Sequence, residues 1–553
     1  MILKNNNLAN FFCLSLIFVY SILINQYFGN MGLHELDSTI GLGNGHRLTQ
    51  NQTPFTDYWV TSGLLTDVIQ AQFFKILGLN WQAYVFHASI FNCVFSCSIF
   101  FFLRYLKFSN IKNFIYSIAS ATIMYPLAGV VLVDFHSLIL SIIALIIFFY
   151  SIKEKNKKFL TIVPGIFLLA FLCKQIPAGY FIICVTFTTL IYCLKNKIIW
   201  PLLYLMIGSI VSLITFFLII YYYEIKFDDF FTQYIKFALT IFSNSKDSSI
   251  LVQLKEITKI KYFLILLIFF FINIFSKKNN FNKNNFLIIS TIITISIVVF
   301  FQEIFTNNQN VTLGLIPLTI ALISVLFRNE DYFLKTKILM YFVIILLFCR
   351  LLIMNYNYLF IIPFLILTLF LNKKIIFKFS SLFIILVVIL TSFYYEKFVK
   401  IRRFNDIFHD VSTYVHGHEI SKKFNGLRWK TNIVNTQEEV KKILYVKNFE
   451  NMSDKILIIS NLQIFNFLLD KKNNSPTKYW MKDKSYPSKN NNFRKEFESF
   501  FKEKMKNENI NEVLILNDND FDIDSFNWLK KCSTQKISND FDIKHYLIKD
   551  SCL

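Results

Sequence analysis

The 553-residue chain has no metal-type CxxC spacing, no phosphate-cradling glycine motif and no internal repeat. These absences argue against a zinc ribbon, a P-loop or dinucleotide-binding site, and a solenoid. A small-residue cleavage site is also missing after the first apolar run, from about Phe11 to Tyr27 behind Lys4. That run therefore reads as a retained helix and not as a signal peptide. Basic residues are scarce in one long polar stretch, Gly29 to Gly78, which holds Glu35, Asp37, Asp57 and Asp67 but only Arg47 and Lys75. In a chain of net charge +21 that local reversal is informative. Membrane proteins keep Lys and Arg in cytoplasmic loops, so this loop belongs on the other side, and carboxylates gathered there are candidate site groups.

What is abundant is apolar surface. Hydrophobic residues make up 54% of the chain, with 65 phenylalanines, and runs of this kind recur at bilayer-spanning length. The composition is that of a polytopic α-helical membrane protein. Spans are expected at about 10–28, 83–106, 114–133, 137–152, 159–173, 177–194, 199–222, 262–275, 286–302, 311–327, 338–353, 358–371 and 379–395, about thirteen in all. The Lys residues cluster between these runs and in the C-terminal region, where topology and solubility explain them without nucleic-acid binding. Of the cysteines, Cys13, Cys93, Cys97, Cys173, Cys184, Cys193 and Cys349 lie in apolar runs and read as small buried hydrophobes; Cys532 and Cys552 lie in the polar tail and can pair in an oxidising compartment.

Charge tests the span count. Lys and Arg fall in alternate connections: Arg104, Lys107 and Lys112; Lys153, Lys155, Lys157 and Lys158; Lys195 and Lys197; Lys277, Lys278 and Lys283; Arg328, Lys335 and Lys337; Lys373, Lys374 and Lys378. The intervening short connections hold almost none, Lys174 and Arg350 excepted. This alternation implies a cytoplasmic N-terminus, an odd number of spans and an external tail from Glu396 onward. Phe227, Phe230, Phe231, Tyr234, Phe237 and Phe242 fit an amphipathic surface helix, as does the stretch Leu64 to Leu77. In the tail, the β-like runs Lys455–Ser460 and Glu512–Leu516 flank a helical stretch near Asn492 to Lys506, which reads as a small α/β domain of about 150 residues.

With this topology Glu35, Asp37, Asp57, Asp134, His136, Lys174 and Arg350 all face one compartment. Carboxylates, a histidine and cations at the outer ends of helices can line a single cavity, whereas a transporter places its binding groups near the midplane on broken helices. Such a cavity suits glycosyl transfer from a membrane-held phosphate donor, with a carboxylate as base and Lys or Arg neutralising the leaving phosphate. Asp37 is the expected base; Lys174 and Arg350 are the phosphate candidates.

Glu35-Leu36-Asp37, then Gly45, Thr53-Pro54-Phe55-Thr56-Asp57-Tyr58, Ser62-Gly63-Leu64-Leu65 and Phe73-Phe74-Lys75-Ile76-Leu77-Gly78 resemble the first outer loop of bacterial GT-C fold glycosyltransferases. These are the relatives of protein O-mannosyltransferases and the lipid A aminoarabinose transferase. Asp134-Phe135-His136-Ser137 is similar to the family's second acidic position, Lys174-Gln175-Ile176-Pro177 to a Lys-containing outer turn, and Ser475-Pro476-Thr477-Lys478-Tyr479-Trp480 to part of the outer domain of several members. Ser62-Gly63-Leu64 lacks the Pro and Lys of the family pattern, and the second acidic site lacks paired carboxylates.

The resemblance implies a polyprenyl-phosphate sugar donor, an inverting displacement at the outer face of a bacterial cytoplasmic membrane, and a glycan, lipid or protein acceptor. Some members use a divalent metal and others do not. Asp37 would act as base, with Glu35, Asp57, Asp134, His136, Lys174 and Arg350 binding substrate. Bland readings stand beside these. Asp57 can cap the turn begun by Pro54, Asp134 and His136 can serve a hairpin, Lys174 and Arg350 can snorkel, and His409, His416 and His418 read as surface residues. The rival functional class is a lipid-linked sugar flippase or other transporter, which requires polar groups deep in the spans; a third is a membrane scaffold whose tail binds partners.

Overall fold

The computed structural model describes residues 2–243 and 380–549, apart from 106, 406, 408–411, 434, 448–454, 517–520, 522, 524–525 and 537–542. The spans expected at about 262–275, 286–302, 311–327, 338–353 and 358–371 lie outside the described residues, as does Arg350.

The described apolar runs fold as antiparallel helices: α1 (Ile2–Gly29), α4 (Trp81–Tyr105), α5 (Asn110–Ile123), α6 (Val133–Lys153), α7 (Lys157–Cys173), α8 (Gln175–Asn196) and α9 (Trp200–Tyr222). The first polar loop contributes two more, α2 (Ile40–Thr49) and α3 (Leu64–Leu77). Five of these helices, α1, α4, α6, α8 and α9, are long and apolar enough to cross a membrane. Their ends follow local chemistry. Asn80 Oδ1 accepts from Ala83 N at 2.8 Å and starts α4, Asn156 does the same for Phe159 N at 3.2 Å in α7, and Gly78 ends α3 at positive φ. The span expected at 114–133 is a correction: α5 stops at Ile123, and the chain runs through a non-helical turn before α6. That turn is held by close approach, since a Cβ on Gly129 would lie 2.5 Å from Gly29 Cα.

Helix α6 packs on α7, α7 on α9, and α1 on α4 and α5. The α1–α4–α5 seam is not purely apolar. Asn25 Nδ2 donates to Ser89 Oγ (3.0 Å) and to the Gly129 carbonyl (3.2 Å). Asn92 Nδ2 bridges the Ser21 and Ala121 carbonyls at 3.0 Å each, and Ser21 Oγ meets Ser96 Oγ at 2.7 Å. Helices surrounded by hydrocarbon gain specificity from such interhelical bonds, about 1 kcal/mol each.

The two ends of the bundle differ in character. Arg104, Lys112, Lys153, Lys157 and Lys197 collect at one, where Lys153 Nζ lies 4.7 Å from the Tyr105 ring centre and Lys157 Nζ 5.5 Å from that of Tyr204. The opposite end carries the first loop, the turn before α6, the α7–α8 connection and the tail.

Past α9, α10 (Phe227–Phe230) continues through a π-helical turn, Phe231–Lys236, into α11 (Phe237–Ser243). Instead of lying free on a surface, this segment clamps the first loop. Gln233 Nε2 donates to the Phe55 carbonyl (2.9 Å), Gln233 Oε1 accepts from Val60 N (2.9 Å), and Trp59 stacks edge-on against Phe237. Helix α12 (Ser380–Tyr394) packs on α5 and leads into the tail.

In the tail, β1 (Val415–His416) and β2 (Arg428–Trp429) pair antiparallel. A four-stranded sheet follows, with β3 (Ile456–Ile459), β4 (Glu512–Leu516), β5 (Ser533–Lys536) and β6 (Ile543–Ile548) in the order β3-β4-β6-β5. β3 and β4 run parallel, which requires the crossover that contains α14 (Arg494–Asn507); α13 (Thr436–Lys447) precedes β3. Phe497, Phe501 and Met505 of α14 pack with Leu457, Ile459, Val513 and Ile515 into a core that also receives Trp59 from the first loop. The two strands and the helix expected in the tail are found; β5, β6 and α13 add to them. Cys532 is disulfide-bonded, and Cys552 lies outside the described residues.

Candidate functional site

The first loop and the tail are locked together by buried polar groups. Arg47 of α2 is fully buried and donates to the Ser475 (3.0 Å) and Thr477 (2.8 Å) carbonyls, its guanidinium lying 4.6 Å from the Tyr58 ring centre. Lys478 donates to the Ser62 carbonyl (2.7 Å) and pairs with Asp67 of α3. Trp59 N donates to the Pro476 carbonyl (2.8 Å). Desolvation pushes the Asp67 carboxyl up to about 6, against the pull of Lys478, and lowers the Lys478 ammonium.

The helix turns join the same assembly. Gly63 N donates to the Cys173 carbonyl (2.8 Å), and Gln175 Nε2 reaches the Thr61 and Tyr234 carbonyls at 2.8 and 2.7 Å. Lys174 Nζ sits 2.8 Å from both carboxylate oxygens of Asp134, and Ser137 Oγ donates to the Lys174 carbonyl (3.0 Å). Asp134 and Lys174, both singled out in the sequence, therefore meet at the polar end.

The other sequence candidates are placed differently. Asp57 Oδ2 accepts from Thr53 N (2.6 Å), closing the turn begun at Pro54, while Oδ1 lies 3.8 Å from Lys504 Nζ of the tail. His136 is buried in the bundle, its Nε2 2.9 Å from His87 Nε2. Glu35 is half-buried; desolvation raises its carboxyl, while His34 and Lys442 pull it down. Asp37 is exposed. Its backbone N–H is fixed on His34 Nδ1 at 3.1 Å, and its carboxylate has no hydrogen bond or ion pair among the described residues.

Sequence reasoning missed three features. Glu439 of α13 is buried, with Oε2 accepting from Trp429 Nε1 (3.1 Å) and Thr431 Oγ1 (2.9 Å); Oε1 has no hydrogen-bond partner among the described residues, and burial raises the carboxyl to about 7 with Glu35 adding to the push. Arg402 is fully buried and donates to four carbonyls: Met31 (2.8 Å), Pro126 (2.7 Å), Leu127 and Ala128 (3.0 Å each). His87 joins His136 from another helix. None of the three sits in a recognisable motif. Among the described residues no group of three or more metal-ligating side chains occurs.

Compared with known proteins, the chain matches no family model and no curated sequence.

Proposed function

We propose that the protein is a membrane glycosyltransferase that moves a sugar from a polyprenyl-phosphate donor to an acceptor hydroxyl, with Asp37 as general base. The proposal includes a bundle of about thirteen spans with a cytoplasmic N-terminus, an external tail and the site at the outer face of a bacterial cytoplasmic membrane. The observation that carries it is the state of the acidic residues at the polar end. Asp57 is held by a turn, Asp67 by Lys478 and Asp134 by Lys174, whereas Asp37 is positioned through its backbone and keeps its carboxylate exposed. A base needs that combination of fixed backbone and free lone pairs. In the displacement the acceptor oxygen bonds to the anomeric carbon, the bond from that carbon to the phosphate oxygen breaks, and the acceptor proton passes to Asp37. Lys174, paired with Asp134 at the polar end, would offset the charge of the leaving phosphate. The donor class and the inverting geometry follow from the loop resemblance.

A transporter reading draws on the polar α1–α4–α5 seam, although the bonds named there run from helix to helix. One experiment separates the two. Purified protein in lipid is given a panel of radiolabelled polyprenyl-phosphate sugars with membrane extract, beside Asp37→Asn. Sugar transfer by the wild type that Asp37→Asn abolishes, with donor binding kept, supports the enzyme. Donor translocation across proteoliposomes without transfer, unaffected by Asp37→Asn, overturns it.

A further inference from the structure

Four side chains from four separate segments meet end to end inside the bundle. Gln70 Oε1 of α3 lies 2.9 Å from His87 Nδ1 of α4. His87 Nε2 lies 2.9 Å from His136 Nε2 of α6, and His136 Nδ1 contacts the Tyr125 hydroxyl and the Leu132 carbonyl, the latter at 3.1 Å. All four side chains are buried.

The protons on this chain can be counted. With both rings neutral, Tyr125 O–H donates to His136 Nδ1, His136 Nε2–H donates to His87 Nε2, and His87 Nδ1–H donates to Gln70 Oε1, so each ring nitrogen has one role. One added proton also fits: it sits on His136 Nδ1, which then donates to the Leu132 carbonyl, while the Tyr125 O–H gives up its bond to that nitrogen and the other two bonds are unchanged. A second has no place, because two N–H groups would then face each other across 2.9 Å. The pair therefore holds no added proton or one.

We propose that His87 and His136 form a buried one-proton site that ties the first-loop helix α3 to the start of α6. Two acceptors, the Leu132 carbonyl and Gln70 Oε1, stand ready for the charged form. Two aromatic faces do as well: Phe73 stacks on His87 with ring centres 4.9 Å apart, and Phe91 lies 3.8 Å from the His136 ring centre. A cation over such rings is favoured by roughly 0.5–2 kcal/mol per contact.

The charged groups on the elements around the pair are already matched. Asp134, on the same turn of α6 as His136, is paired with Lys174; Asp67, one turn before Gln70 on α3, is paired with Lys478. Tyr84, one turn before His87 on α4, lies 3.5 Å from the Val131 carbonyl, and Tyr125 faces the pair directly. An ionisable pair inside a bundle, away from any exposed surface, is a functional site by default. The proposal is independent of the transferase reading.

The test uses the full-length protein, labelled with ¹⁵N-histidine and held in lipid nanodiscs, titrated from pH 8 to pH 4. His87→Gln and His136→Gln assign the two rings among the eight histidines. The expected result is uptake of one proton by the pair, seen as a joint shift of both rings, with a nitrogen–nitrogen coupling across the Nε2···Nε2 hydrogen bond. Either variant should abolish that joint step. If a variant does not fold, the coupling and the joint shift in the wild type decide alone. Two independent single-ring titrations, or no titration of either ring by pH 4, would overturn the proposal.

Discussion

Asp67 and Lys478, 411 residues apart in the chain, close an ion pair from which water is excluded. The pair is the clearest sign that the first loop and the tail are one folded unit. Its two shifts agree in meaning: the Asp67 carboxyl is raised and the Lys478 ammonium lowered, so burial works against both charges and each survives through the other. Lys478→Met alone strands a buried carboxylate and should cost about 3–5 kcal/mol. Lys478→Met combined with Asp67→Leu removes both charges and should recover most of that loss. Denaturant unfolding of the four proteins of the cycle measures this; a double variant as unstable as the sum of its singles would mean that the pair is not coupled.

Asp37→Asn should leave thermal stability unchanged, because the carboxylate is exposed and makes no bond among the described residues. Asp57→Ala should behave in the opposite way. It removes the 2.6 Å acceptor for Thr53 N and should cost about 1 kcal/mol, with any activity loss following the loss of fold. Parallel melting curves and transfer assays on the two variants distinguish a working carboxylate from a structural one.

Much of this was legible in the sequence because hydropathy and charge act over long runs. The helices on either side of the first loop, Leu64–Leu77, and the strands at Lys455 and Glu512 all appear where apolar periodicity puts them. That Asp134 and Lys174 lie at the same end was legible too, since both interrupt apolar runs there; that they pair with each other was not. What sequence could not supply was pairing at long range. Nothing local marks Arg47 as the ligand of the Ser475 and Thr477 carbonyls, or Gln233 as the clamp on Phe55 and Val60. The early end of α5 was hidden because Met124-Tyr125-Pro126-Leu127-Ala128 is as apolar as a span, yet the turn forms because Arg402 from the tail satisfies its carbonyls.

That arrangement makes Arg402 a second test. Its planar fork serves four carbonyls at once, a geometry that an ammonium cannot reproduce. Arg402→Lys keeps the charge but leaves carbonyls unpaired, and should destabilise by about 2–4 kcal/mol. Limited proteolysis should then cut more readily between Met124 and Leu132. A variant as resistant as the wild type would show that the turn holds without its guanidinium.

Glu439 gives the pH dependence. Its carboxyl is raised to about 7 from the ordinary 4.5, chiefly by burial, with Trp429 and Thr431 donating to one oxygen and the other without a hydrogen-bond partner among the described residues. Between those two values the folded protein keeps a proton that the unfolded chain has released. Stability must therefore fall as pH rises through that window, and the cost is fully present above pH 7, on the order of 3 kcal/mol for such a shift. Glu439→Gln holds the site neutral at every pH while its amide oxygen can still accept from Trp429 and Thr431. The variant should match the wild type near pH 4.5 and exceed it in stability at pH 8. Thermal unfolding followed by tryptophan fluorescence across that range reads the difference, and an offset that did not change with pH would show that Glu439 does not titrate there.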